Sequence, residues 1–350
     1  MTSGIHPTDH EFSSDSDAQA RGVLASMGLI DSQATPSFTA LTGGVSSDIW
    51  LVETDQSRLV LKRPKHQLNV SSTWIVPVDR GQAEAEWLTW VGEHFPQHVP
   101  QVLGFSPDSF SIALSFFPPT THTNWKTDLM SGSVDVGFAA QLGYVLAGSH
   151  TAASDQPDLA DRFRYDDLFY SLRIEPFLER TATALPDVAD ALSGVIESLT
   201  STSLAVVHGD FSPKNILVDH TVTPSRPIVL DAECAVWGDP AFDVAFCLAH
   251  LALKSVHVEG AGEAIIEAAT QFRSSHRDAV GGDLGRGVDD RLTALIPSLL
   301  LARIVGGSPA GYLSDEQKQR VTDAAVTSLL SGEPCGPLLH PQKGHGDLPW

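Results

Sequence analysis

The segment His208-Gly209-Asp210-Phe211-Ser212-Pro213-Lys214-Asn215, with Asp231-Ala232-Glu233 downstream, constrains this chain more than any other stretch, because its polar residues sit at the ends of short apolar runs. Leu204 to Val207 leads into His208, Ile216 to Val218 follows Asn215, and Ile228 to Leu230 ends at Asp231. Apolar runs this short, bounded by polar and turn residues, predict strands. The connection from Asp219 to Pro227 is polar and contains Pro224 and Pro227, so the second and third runs pair as an antiparallel hairpin. In such a hairpin the start of one strand lies beside the end of the next. Asn215 and Asp231 therefore emerge at one end, and Asp210, on the loop entering the hairpin, faces the same space.

Phosphoryl transfer asks for this set of residue types. The protein must position a hydroxyl and neutralise phosphate charge, with an Asp orienting the hydroxyl proton and an Asn plus a second Asp holding Mg²⁺. Asp210, Asn215 and Asp231 occur in that order. Glu233 adds a carboxylate to the metal shell if the strand continues unbent, since alternate strand positions share a face.

Together with Trp237-Gly238-Asp239-Pro240-Ala241-Phe242-Asp243, these motifs resemble the aminoglycoside phosphotransferase and choline kinase family. The resemblance runs in outline from about Thr39 to Leu313 and is most specific from His208 to Asp243. It implies an α+β, bilobal protein-kinase-like fold, with a small N-terminal lobe built on an antiparallel sheet and a larger, mostly helical C-terminal lobe. It also implies Asp210 as catalytic base, Asn215 and Asp231 as metal ligands, Asp243 as a buried acceptor for the catalytic-loop backbone, and ATP or GTP with Mg²⁺ as cofactors. Two departures stand out. The family's His-Pro-Gly-Asn is Ser212-Pro213-Lys214-Asn215 here, and its Asp-x-Asp is Asp231-Ala232-Glu233. The glutamate version is similar to the methylthioribose kinase branch, which weakens the case for an antibiotic as substrate.

Upstream, Leu41 to Asp48 contains Gly43, Gly44, Ser46 and Ser47 ahead of two strand-like runs, Ile49 to Glu53 and Arg58 to Arg63. Such a loop lets backbone amides approach phosphates, although a plain surface turn has the same composition. Lys62 lies in the second run, placed to reach the α- and β-phosphates. Gln82 to Glu93 carries a helical apolar repeat, and the family resemblance favours Glu84 as the partner of Lys62, with Glu86 as the alternative. The strand-like Ser111 to Phe117 runs into Pro118-Pro119, so Ser115, Phe116 and Phe117 are expected to form the adenine-holding hinge. Residues 19–117 then make the nucleotide-binding lobe and 118–335 the catalytic and acceptor-binding lobe, between a flexible leader (1–18) and a flexible tail (336–350).

Composition narrows the partners. Against 43 acidic residues stand 22 Lys and Arg, a formal charge of −21, which disfavours nucleic acid and anionic membranes. The 3 cysteines are too few and too scattered for a disulfide framework or zinc cluster. No apolar run approaches the roughly 18 residues of a membrane span, and the opening residues lack a signal-like core, so a cytoplasmic location is expected. Further helices are predicted over Gln19 to Met27, Val136 to His150 ending near Gly148, Phe242 to Leu253, Arg291 to Ile304 with a kink or restart at Pro297, and Asp315 to Leu330. Ser274 to Asp290 reads as a loop.

His208 is expected to brace the loop carrying Asp210, and His150 and His250 to be core or pocket histidines. Lys214 either neutralises the transferred phosphate or points to solvent. Arg303, a charge in an apolar helix, needs a partner: an internal carboxylate or an anionic group on the acceptor. Two cations in the cleft would repel a polycation, which favours a sugar-like or other small hydroxyl compound over an aminoglycoside. A different class, a metal-dependent hydrolase, would use His208, Asp210, Asp231, Glu233 and His250 as direct ligands. A nucleotide-binding regulator without catalysis is disfavoured by the intact Asp210, Asn215 and Asp231.

Overall fold

The computed structural model describes residues 14–31, 33–41, 46–55, 57–65, 76–340 and 348–350. Helix α1 (Ser14–Ser26) precedes β1 (Ser37–Ala40), β2 (Ser47–Glu53) and β3 (Arg58–Pro64); α2 (Arg80–His94), β4 (Val102–Ser106) and β5 (Ser111–Ser115) complete the small lobe. The strands form one antiparallel sheet in the order β1-β2-β3-β5-β4. Alternation along β2 and β3 buries Trp50, Val52, Leu59 and Leu61 on one face, where Ala20 and Leu24 of α1 and Ala113 of β5 join them in a separate core. Burying one stripe of a helix against a sheet is enough to hold α1, whose remaining face is polar. The leader expected to run to Ala18 therefore gives way to helix from Ser14.

The large lobe begins with β6 (His122–Asn124), α3 (Trp125–Met130) and α4 (Val136–Ser154). Short helices α5 (Leu159–Arg162) and α6 (Asp166–Phe169), a π-helix over Tyr170–Glu179, α7 (Arg180–Ala184) and α8 (Ala189–Ser201) lead to β7 (Ala205–Val207). The hairpin of β8 (Ile216–Asp219) and β9 (Arg226–Val229) follows, then β10 (Val236–Gly238), α9 (Ala241–His257), α10 (Gly262–Val280), α11 (Gly282–Val305), α12 (Asp315–Ser331) and α13 (Gly336–Leu339). The fold is the expected bilobal α+β arrangement. Helix α9 is buried from Ala241 to Val256, as its apolar sequence requires; α10 and α11 pack on it, and α4 packs on α10, to make the main core.

Four helix expectations change. Helix α4 runs past Gly148, where a Cβ would come within 2.7 Å of the Phe95 ring, so this glycine permits a close approach rather than a helix stop. The supposed loop from Ser274 to Asp290 is the end of α10 and the start of α11, broken only where Gly281 and Gly282 adopt φ of +60° and +55°. It is polar because much of its surface faces solvent, yet Ser275, His276 and Val288 are buried. Helix α11 continues through Pro297. In the expected tail, α13 forms and Trp350 is buried, with the Gly336 amide donating to the Trp350 carbonyl (2.8 Å).

Candidate active site

Strand β7 delivers the loop that carries Asp210, and Asp243 in the first turn of α9 fixes it. The Asp243 carboxylate accepts from the amides of His208 (2.7 Å) and Gly209 (2.8 Å) and is itself bordered by His150 (3.3 Å). Gly209 has φ +72°, and a Cβ there would lie 2.3 Å from the Cys234 carbonyl oxygen, so only glycine fits. The His208 ring braces the loop: Nε2 donates to the Leu230 carbonyl (2.9 Å) and Nδ1 accepts from the Asp210 amide (3.1 Å). Burial lowers its pKa, despite nearby Asp243, which keeps the ring neutral for this double role.

Asp210 is almost fully buried among donors. Arg173 of the π-helix lies 3.1 Å from one carboxylate oxygen; Lys214 (2.8 Å) and the Asn215 amide nitrogen (2.9 Å) lie on the other. Burial pushes its carboxyl up, but Lys214 and Arg173 outweigh that and hold it below the usual range, so the carboxylate is ionised. Arg173 also donates to the Gly209 carbonyl. The sequence reading missed Arg173; its signal is an arginine set between Leu172 and Ile174, a charge in an apolar stretch. Lys214, half exposed, faces Asp210 rather than bulk solvent alone.

The hairpin pairs Ile216 with Val229, and the Leu230 amide donates to the Asn215 carbonyl (2.8 Å), so Asn215 and Asp231 do share one end. Asp231 adopts φ +67°, a strained conformation for a residue with a Cβ, which turns its carboxylate towards the small lobe. There Lys62 Nζ meets Glu84 (2.7 Å), Glu233 (2.8 Å) and Asp231. Carboxylate oxygens of Glu84, Asp231 and Glu233 all lie within 4.8 Å of one another. Burial opposes charge on Lys62, yet the three carboxylates hold its pKa well above the ordinary value. Burial raises Glu84 to about 8 against the pull of Lys62, whereas Lys62 keeps Asp231 and Glu233 low. Glu86 instead accepts from Tyr165 (3.1 Å) and Gln82 (2.9 Å).

Ser46 and Ser47, expected to meet phosphate, direct their hydroxyls to Glu233 at 3.0 and 2.9 Å. Gly43 and Gly44 lie outside the described residues. Arg80 went unnoticed in the sequence. It is 0 % exposed, 3.3 Å from Glu233, and donates to the carbonyls of Pro77, Ser46 and Lys65, tying the glycine-loop exit to α2. Ser115 ends β5 with its amide on the Gln101 carbonyl (3.0 Å), and Phe116 and Phe117 follow beyond the ladder, with the Phe117 ring 5.0 Å from His122. Among the described residues Arg303 pairs with no carboxylate: its Nη1 donates to Ser308 (2.7 Å) and its buried Nε has no hydrogen-bond partner.

The hydrolase reading gathers no support from this geometry. Both His208 nitrogens are engaged, and His250 lies among Arg303, Lys254, Lys214 and Lys126, whose charges together with burial hold it well below its ordinary pKa. Among the described residues the one cluster of possible metal-binding carboxylates, imidazoles or thiolates is all carboxylate. If Lys62 and Glu84 act as one unit, Lys62→Met and Glu84→Gln will each lower turnover, and the double variant will be little worse than the worse single. Fully additive losses in such a cycle would separate them.

The profile of the phosphotransferase enzyme family matches residues 37–280. Methylthioribose kinase of Pectobacterium carotovorum is 27 % identical over 239 residues, covering 59 % of this chain and 57 % of the relative. That of Yersinia enterocolitica is 28 % identical over 233 residues, covering 58 % and 56 %. The chain thus spans less than three-fifths of the length of these curated relatives. A microcompartment-associated aminopropanol kinase superposes with a TM-score of 0.56 at 15 % identity, covering 95 % of this chain and all of the other. Plasmodium vivax ethanolamine kinase gives 0.55 at 10 % identity, covering 95 % and 91 %. At these identities the structural matches establish the fold.

Proposed function

The chain belongs to the phosphotransferase enzyme family, and from that premise we propose that it transfers the γ-phosphate of ATP or GTP to a hydroxyl of a sugar-like or other small metabolite. The observation that carries this reading is the ionised Asp210, buried between Arg173 and Lys214, beside a carboxylate cluster that grips Lys62. Asp210 accepts or orients the acceptor's hydroxyl proton. Lys62, oriented by Glu84, binds the donor phosphates, and Phe116 and Phe117 follow the strand where the hinge backbone meets the base. Asp231 and Glu233, with Glu84 close to both, are hard oxygen donors that fit Mg²⁺, and the Asn215 amide oxygen would complete the set. When bound, the ion neutralises charge on the phosphate oxygens.

A sugar-like acceptor agrees with the named relatives and with the Asp-x-Glu motif. An aminoglycoside, which carries several ammonium groups, is disfavoured by Arg173, Lys214 and Arg303 around Asp210. No helix among the described residues is long and apolar enough to cross a membrane; with the charge of −21, we place the protein in the cytoplasm, without nucleic-acid partners. The test is nucleotide consumption by pure protein against sugars, amino alcohols, nucleoside breakdown products and aminoglycosides, with and without Mg²⁺. Turnover is expected to require Mg²⁺ or Mn²⁺ and to vanish with EDTA. Stoichiometric zinc with nucleotide-independent hydrolysis would overturn the reading, and aminoglycoside turnover above all others would overturn the acceptor preference.

A further inference from the structure

The large lobe carries a concentration of positive charge that its own acids do not answer. Lys126 of α3, Lys214 of the catalytic loop, His250 and Lys254 of α9, and Arg303 of α11 converge in a chain that has 43 acidic and only 22 basic residues. Lys214 has Asp210; among the described residues Lys126, Lys254 and Arg303 form no ion pair. Lys254 is 1 % exposed, its ammonium donating to the His250 carbonyl (3.2 Å) and lying 5.8 Å from the centre of the Tyr312 ring. The Tyr312 hydroxyl and Arg303 Nε are both buried without a hydrogen-bond partner among the described residues. A cationic group this deep is costly unless something anionic joins it.

The cluster is also continuous with the reaction centre. The Asn124 side chain donates to the Lys214 carbonyl (2.8 Å), coupling the start of α3, and so Lys126, to the catalytic loop. Asp243, which fixes that loop, shares α9 with His250 and Lys254, which at about 1.5 Å rise per residue lie about 10 and 16 Å further along the axis. Arg303 feels the charge of Asp210 after burial and Tyr312, and Lys254 is held at about 7 by burial, Lys126 and Arg303. The elements that carry these residues also pack together: α9 lies against α11, and both α3 and α9 touch the Pro213–Asn215 segment that holds Lys214.

We propose that the phosphate acceptor carries an oxyanion, a carboxylate or a phosphate ester, which Lys126, Lys254 and Arg303 hold while its hydroxyl meets Asp210. The inference rests on the kinase reading and narrows its substrate class to acidic hydroxyl compounds of sugar size. Tyr312 and the neutral His250 ring are placed to donate to the same group. The transferred phosphate does not account for the cluster, because Lys62 and Lys214 already flank its path.

The test uses the full chain saturated with Mg²⁺ and a non-hydrolysable ATP analogue, so that the nucleotide's own phosphate sites are filled. Thermal melting is followed while gluconate, glucose 6-phosphate or glucose is titrated at matched ionic strength. We expect a saturable rise in Tm with at least one of the two acids and none with glucose. Which acid responds separates carboxylate from phosphate. In Arg303→Met and Lys254→Met the response should require at least tenfold more ligand, while the charge-preserving Lys254→Arg retains more of it; this last variant also serves if the methionine variants fold poorly. Equal shifts with glucose, acid responses that persist in both methionine variants, or no response to either acid would overturn the oxyanion site. Nucleotide turnover with neutral acceptors alone would likewise overturn it and leave the kinase reading standing, whereas failure to bind the ATP analogue would count against the kinase reading itself.

Discussion

Asp210→Asn is expected to lower turnover by roughly 10²–10⁴, the range associated with losing a general base, while leaving nucleotide affinity almost unchanged. The substitution retains shape and one acceptor oxygen but removes the negative charge that Arg173 and Lys214 balance. The loop itself does not depend on that charge, since its backbone is held by Asp243 and His208. Steady-state rates with the acceptor in hand, alongside nucleotide titration of the same preparation, separate the two effects. Near-normal turnover would remove Asp210 from the reaction; a parallel loss of nucleotide binding would make its contribution structural.

Arg80→Met should destabilise the protein by about 3–5 kcal/mol, the usual cost of breaking a buried ion pair from one side. Methionine replaces the length of the side chain but none of its donors. Glu233 then loses one of its two cations, and the carbonyls of Pro77, Ser46 and Lys65 lose their guanidinium partner in a site with no exposure at Arg80. Calorimetry should record a fall in Tm of about 4–7 °C. A shift of only a degree or two would mean that water reaches these groups readily and that the network is not a structural tie.

The contrast between Asp210 and Arg80 shows what the sequence reveals and what it conceals. The hairpin of β8 and β9 was legible because apolar runs, prolines and the polar ends are local signals, and its geometry alone brings Asn215 beside Asp231. Lys62 and Glu84 were legible as a pair because strand and helix periodicity placed each, with the family resemblance selecting Glu84 over Glu86. Arg80 and Arg173 were not, because their partners lie far along the chain and neither carries a periodic signature. Ser46 and Ser47 illustrate a related gap: composition identifies a small-residue loop, but only the fold reveals that Glu233 competes for the hydroxyls. Polarity misled at α10 and α11, where a long amphipathic pair resembles a loop once Gly281 and Gly282 interrupt it. Arg303 was recognised as needing a partner, and among the described residues its side chain finds Ser308 and no carboxylate.

Lys62 and Glu84 come from the small lobe, whereas Asp231 and Glu233 come from the segment after β9 in the large one. A single nitrogen thus acts as a clasp between the two halves. Drawing the lobes apart strands both Asp231 and Glu233, the first losing Lys62 and the second losing Lys62, Arg80 and the two serines, so opening meets an electrostatic resistance that salt, excluded from so buried a place, relieves only weakly. Any incoming cation enters by exchange, displacing an attraction already present, and its apparent affinity is the difference between two well-satisfied arrangements. A divalent ion offered alone gains little from that exchange; one arriving with phosphates gives Lys62 a new partner in the same event.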